Sequence, residues 1–296
     1  MREPSLLDKH SGAMADQASG LRRLFRARPA RAVAFVSGRE ACGRTTLLVR
    51  TAVALAEAGE AVVVIDENSG PDNVHAAFGA KARRDLIDLV RGGCAIERLV
   101  QPVAPRLSLM SAARFADEIH QLAAVEAGRL NTAFRRLQEG SSYVLIDCAA
   151  RNGQQLSPLA LAAPRMAVVV AAQSSAITRA YALIKRLVQE RGRDGFQVAI
   201  TRARSDQEAQ DIFHNMRHTA HEHLGVRLDY LGSARVPSAD HLADALQTHL
   251  SQTVEAEEWF GFAPHPLAGG VPAAGSKRAE AVASTGLRLG RHAGAF

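Results

Sequence analysis

From about residue 32 onward, short apolar runs rich in Val, Ile and Ala alternate with segments whose apolar side chains recur every three or four residues. The runs predict strands over 32–36, 61–65, 107–110, 143–146, 166–172, 196–201 and 227–231. The helical period predicts helices over 44–57, stopped by Gly59, over 118–139, stopped by Gly140, and over 176–191. Another helix opens at Ser205, where Ser205-Asp206-Gln207-Glu208 is a capping-box pattern. The strands are apolar along their whole length rather than alternating, which implies burial on both faces. Strands and helices in this order predict an α/β fold, a mostly parallel sheet with helices on both faces. No internal repeat is visible.

Composition adds limits. The chain has 296 residues, 47% apolar but only 5% aromatic, so the core must be built from Leu, Val, Ile and Ala. That length suits one large α/β domain or two small ones. No apolar run reaches the eighteen or so residues that a membrane span needs. The first residues, Met1-Arg2-Glu3-Pro4, carry no secretory pattern, and Cys42, Cys94 and Cys148 lie far apart. Both features predict a cytoplasmic protein in a reducing compartment. The net charge of +6 is concentrated at the ends: Arg22, Arg23, Arg26, Arg28 and Arg31 stand without an acid in residues 17–38, and Lys277, Arg278, Arg288 and Arg291 face only Glu280 in the last twenty. A charged arm, rather than a body that grips a phosphate backbone, is the expectation. Residues 1–31 read as an arm and Pro-containing linker, with Met14 a plausible second start. Residues 32–262 read as the domain, and 263–296, rich in Gly, Ala and Pro, as a flexible, disordered tail.

Candidate chemistry sits at the first strand–helix junction. Gly38-Arg39-Glu40-Ala41-Cys42-Gly43-Arg44-Thr45-Thr46 matches the phosphate-loop spacing G-x-x-x-x-G-K-[ST], with Arg for Lys. Backbone N–H groups and the helix dipole converge there on an anion. Asp66 and Asp147 end later strands, at the sheet edge where ligands bind in such folds. Two carboxylates beside a phosphate loop suit Mg²⁺ coordination and water positioning.

Together these segments resemble the MinD/ParA family of deviant P-loop ATPases over about residues 32–250. The family loop K-G-G-x-G-K-[ST] aligns with Arg39-Glu40-Ala41-Cys42-Gly43-Arg44-Thr45, and Asp66-Glu67-Asn68-Ser69-Gly70 resembles its D-x-D-x-G switch. Asp147-Cys148-Ala149-Ala150 resembles the second switch, and the segment from Ser175 to Lys185 resembles the helix after the next strand. Upstream, Asp16-Gln17-Ala18-Ser19-Gly20-Leu21-Arg22-Arg23-Leu24 is similar to the D-Q-A-x-x-L-R motif of the flagellar number regulators, the FlhG branch. The resemblance implies ATP bound by Gly38, Gly43, Arg44, Thr45 and Thr46, and Mg²⁺ held by Thr45 with Asp147. It gives Asp66 and Arg39 catalytic roles, Arg39 reaching across an ATP-dependent homodimer. It further implies that Asp16, Gln17, Ala18, Leu21 and Arg22 engage a flagellar GTPase of the signal-recognition-particle type, and that the body restrains a flagellar transcription activator. Recruitment to the cell pole or inner membrane would then come through partners.

The sequence departs from the family where mechanism is decided. Arg44 replaces the compact loop ammonium with a planar fork, and Arg39 replaces the signature Lys. Glu40 and Ala41 replace two glycines. If those positions need positive φ, each costs about 1–2 kcal/mol. Asn68 replaces the second acid of D-x-D, and Thr201 stands where an Asn often helps to hold adenine. The expectation is a flagellar regulator with weak or lost ATPase activity that acts through protein contacts. The alternatives are an active ParA-type ATPase that positions DNA or other cargo, and an adaptor with no nucleotide role. His214, His218, His221 and His223 read as a solvated helix face rather than a metal site. The acids before Trp259 and Phe260 speak against direct membrane binding.

Overall fold

The computed structural model describes residues 31–119, 122–149 and 156–234. The arm motif at residues 16–24, the linker, the domain end near 262 and the tail lie outside the described residues.

Eight strands form a single sheet: β1 (Arg31–Val36), β2 (Val62–Asp66), β3 (Gln101–Ala104), β4 (Leu107–Ser111), β5 (Tyr143–Asp147), β6 (Arg165–Ala171), β7 (Gly195–Thr201) and β8 (Arg227–Ala234). Their spatial order is β3-β4-β2-β5-β1-β6-β7-β8. Every pairing is parallel except that of β3 with β4. The α/β expectation holds; the apolar pattern misses the strand β3 and the short helices at Val74–Ala77, Leu86–Val90 and Pro158–Ala162. β3 is a four-residue hairpin partner at the sheet's edge, half exposed and carrying Pro102, which an edge strand tolerates.

The helices are α1 (Arg44–Glu57), α2 (Val74–Ala77), α3 (Leu86–Val90), α4 (Ala113–Glu118), α5 (Ala124–Gly140), α6 (Pro158–Ala162), α7 (Ser174–Arg191) and α8 (Asp206–Leu224). The helix expected over 118–139 begins later, as α5 at Ala124, where Glu126 accepts from the Ala123 N–H, and a separate helix, α4, ends at Glu118. Ser205 caps α8 as its sequence predicts, accepting from the Glu208 N–H at 3.1 Å. The reciprocal half of that box closes one residue earlier, with Glu208 accepting from the Arg204 N–H.

Alternate residues of each strand feed two cores. Val33, Phe35, Val64 and Leu145 pack with Leu47, Leu48, Ala52 and Leu55 of α1. Ala34, Val36, Ile65 and Ile146 pack on the other face with side chains of α3, α5, α7 and α8. The strands are apolar throughout because both faces are covered. Helices that follow parallel strands bring their N-termini to the strands' C-terminal edge, and the candidate residues gather there.

Candidate phosphate-loop site

The loop after β1 is shaped by three contacts. Gly43 caps α1 in the left-handed region, φ 77°, and offers no side chain, so the first-turn N–H groups of α1 carry no side-chain cap. Thr201, buried at the end of β7, donates to the Cys42 carbonyl at 2.7 Å. Gly38 lies against α7, and a Cβ there would stand 2.4 Å from the Arg179 carbonyl carbon. Only glycine permits that approach. Of the two residues that replace family glycines, Ala41 takes positive φ (56°), while Glu40 is not among the positive-φ residues. The expected backbone strain therefore falls on Ala41 alone.

Beneath the loop, Arg44 turns inward. Its Nε donates to Asp147 Oδ1 at 2.6 Å, and a terminal nitrogen lies 3.4 Å from Ser37 Oγ. Thr45 donates to Asp147 Oδ2 at 2.7 Å. Arg44 is 7% exposed and Asp147 is fully buried. Burial pushes the Asp147 carboxyl above the usual carboxylate range, opposed by Arg44 and Thr45. For Arg44, burial works against the charge, but Asp147 outweighs it and holds the guanidinium above its ordinary value.

Asp66 is the register partner of Asp147 on β2. It is buried, and its Oδ2 accepts from the His75 N–H at 3.1 Å and lies 2.8 Å from His75 Nδ1. Its Oδ1 accepts from the Asn68 N–H. It thus ties down the 67–75 segment and does not line the cavity under the loop. Arg39, the other residue assigned catalysis, donates to Ser175 Oγ at 3.0 Å on the first turn of α7. On the opposite face of the strand ends, Glu67 accepts from Ser157, which caps α6, beside buried Cys148. Burial, with Glu67 adding to it, pushes the Cys148 thiol well up.

The cavity above Arg44 and Thr45 holds about 810 Å³ and is lined by the loop from Glu40 to Thr46, the 68–72 segment, Asp117, Ala149 and Arg202. That volume is in the range of small-molecule and cofactor sites. Sequence reasoning missed two lining residues. Arg202 directly follows the end of β7, one residue beyond the position Asp66 holds on β2, and takes φ 60°; the strand-end logic reaches it. Asp117 lies within α4 and carries no local signal. A second concavity of about 600 Å³, between α3 and α5, lies away from these groups.

A divalent cation at such a loop needs an available anionic counter-charge near the Thr45 hydroxyl. Thr45 and Asp147 are brought together, but both Asp147 oxygens are engaged, one by a guanidinium, and Asn68 replaces the further acid. As they stand, Thr45 and Asp147 offer Mg²⁺ no free carboxylate oxygen. Among the described residues, no group of three His, Cys, Asp or Glu could hold a metal, and the four histidines of α8 are exposed. No described helix is long and apolar enough to cross a membrane.

No family model matches the chain. The antiactivator FleN of Pseudomonas aeruginosa is 28% identical over 219 residues, covering 74% of this chain and 78% of FleN. The flagellum site-determining protein YlxH of Helicobacter pylori is 21% identical over 202 residues, 68% of each chain. Among solved structures, the MinD cell division protein of Aquifex aeolicus superposes with a TM-score of 0.56 at 16% identity, over 77% of this chain and all of that one.

Proposed function

We propose that this chain, a MinD/ParA-like P-loop protein of the flagellar-regulator branch, limits flagellar number or placement through protein partners, with weak or no ATP turnover. The observation that carries the low-turnover part is Arg44. The loop cation lies against Asp147 instead of standing free over the cavity, Asn68 occupies the place of a water-organising acid, and Asp66 is engaged by His75. Glu40 and Asp72 add negative charge to the lining. A carboxylate about 4 Å from a phosphate charge costs on the order of 4 kcal/mol at an effective dielectric near 20. The flagellar part is supported by the relatives, one an antiactivator and one a flagellum site-determining protein.

In this reading the arm, with Asp16, Gln17, Ala18, Leu21 and Arg22, stimulates a flagellar GTPase of the signal-recognition-particle type, and the body restrains a flagellar transcription activator. The protein works in the cytoplasm, and partners recruit it to the pole or inner membrane. ATP, where it binds, occupies the loop from Gly38 to Thr46.

The test combines turnover with partner stimulation. Full-length protein is expected to hydrolyse ATP slowly or not at all, yet to raise GTP turnover by the flagellar GTPase. Deleting residues 14–26 is expected to abolish the stimulation. ATP-dependent dimers with ordinary ATPase turnover and no effect on the GTPase would favour a cargo-positioning ATPase instead.

A further inference from the structure

We infer that Arg44 supplies, from within the chain, the positive charge that a magnesium ion would bring to Asp147, so that this phosphate loop works without a metal. The inference rests on reading the cavity as a nucleotide-type site, and it names what controls that site.

Asp147 ends a central strand, fully buried, and its two oxygens are shared between neighbouring residues of α1: Oδ1 with Arg44 and Oδ2 with Thr45. A carboxylate in that place has no water to offset its charge, so it requires a cation or a proton. Lysine at position 44 would carry its charge on a flexible stem, free to extend toward a ligand and leave Asp147 to a metal. The guanidinium is planar and permanently charged, and its Nε bonds the carboxylate while a terminal nitrogen reaches toward Ser37. A divalent cation brought beside Thr45 would meet that fixed positive charge. Neither switch position offers it a free carboxylate, since Asn68 is neutral and Asp66 is held by His75. The usual order is thereby inverted: the residue that ordinarily faces the phosphates faces the metal's carboxylate.

The experiment measures binding and stability, not turnover. ADP and ATP are titrated by calorimetry into the full chain with Mg²⁺ and with EDTA, and the thermal midpoint is recorded under the same four conditions. Arg44→Lys is run alongside, and Arg44→Gln, which keeps a donor toward Asp147 without the charge, serves if the Lys variant does not fold. For the natural chain, nucleotide is expected to bind with an affinity that changes less than about twofold when Mg²⁺ is removed; no binding under either condition overturns the inference. The variants are expected to gain binding that Mg²⁺ tightens tenfold or more, with a matching rise in the midpoint. A natural chain whose affinity rises tenfold with Mg²⁺ overturns the inference, and leaves the proposal of a slow, partner-directed regulator standing. Folded variants that stay as insensitive to Mg²⁺ as the natural chain also overturn it, because Arg44 is then not the residue that excludes the metal.

Discussion

Removing the charge from Asp147 is the sharpest test of how the loop is held. Asp147→Asn preserves shape and leaves an oxygen to accept from Arg44 or Thr45, but strands a guanidinium that is 7% exposed. With charge centres about 4 Å apart and an effective dielectric near 20, the lost attraction is about 4 kcal/mol. A retained neutral hydrogen bond gives back about 1 kcal/mol, so a net loss of roughly 3 kcal/mol is expected, in line with breaking one side of a buried pair. Against a total stability of about 5–15 kcal/mol, that shift is easily read from urea unfolding followed by far-UV circular dichroism. The reciprocal variant, Arg44→Met, behaves differently with pH. Burial already holds Asp147 above the carboxylate range, and losing the guanidinium raises it further. A carboxyl raised in the folded state penalises folding above that raised pKa, and the penalty fades as pH falls toward the unfolded value. The Met variant should therefore approach the natural chain in acid, whereas the Asn variant has no group at this position to titrate. An Asn variant within 1 kcal/mol of the natural chain, or a Met variant whose deficit ignores pH, would refute the buried pair.

Four further outcomes follow from the same geometry. Ala41→Gly relieves a φ of 56° and should stabilise by about 0.5–1 kcal/mol in urea unfolding, the strain removed exceeding the backbone entropy that glycine adds. Gly38→Ala forces a Cβ into the Arg179 backbone and should cost about 1–3 kcal/mol in the same assay. Thr201→Val leaves the buried Cys42 carbonyl without its donor; a loss of about 1–3 kcal/mol is expected, with faster hydrogen exchange across residues 40–46. In thiol titration of the native protein, half-buried Cys94 should react, while Cys42 and Cys148, 3% and 1% exposed, should react only in denaturant.

The sheet was legible because its strands are covered on both faces, so that hydrophobicity alone marks them. β3 was not, since an exposed edge strand with a proline lacks that mark. The break between α4 and α5 was hidden because the apolar period runs on across residues 119–123, with Ile119 and Leu122 keeping the pattern. At the site, spacing located the loop and the meeting of Thr45 with Asp147, but not that Asp66 turns to His75. It did not reveal that Arg44 would turn inward, because that depends on Asp147, 103 positions away. Nor did it separate Glu40 from Ala41, whose backbones differ although both replace a glycine.

The strain at Ala41 bears on what the loop is for. An alanine at φ 56° persists only where its surroundings fix the backbone more firmly than its own preference opposes it. Those surroundings are internal: the Thr201 hydroxyl on the Cys42 carbonyl, the Cys42 thiol on the Arg39 carbonyl at 3.3 Å, and Gly38 wedged against α7. Arg44 and Arg39, which the family resemblance aims at nucleotide, likewise find partners in this chain, Asp147 and Ser175. This loop has protein partners at each of these points. It follows that its shape, and any partner surface that depends on it, is set by folding rather than by nucleotide occupancy.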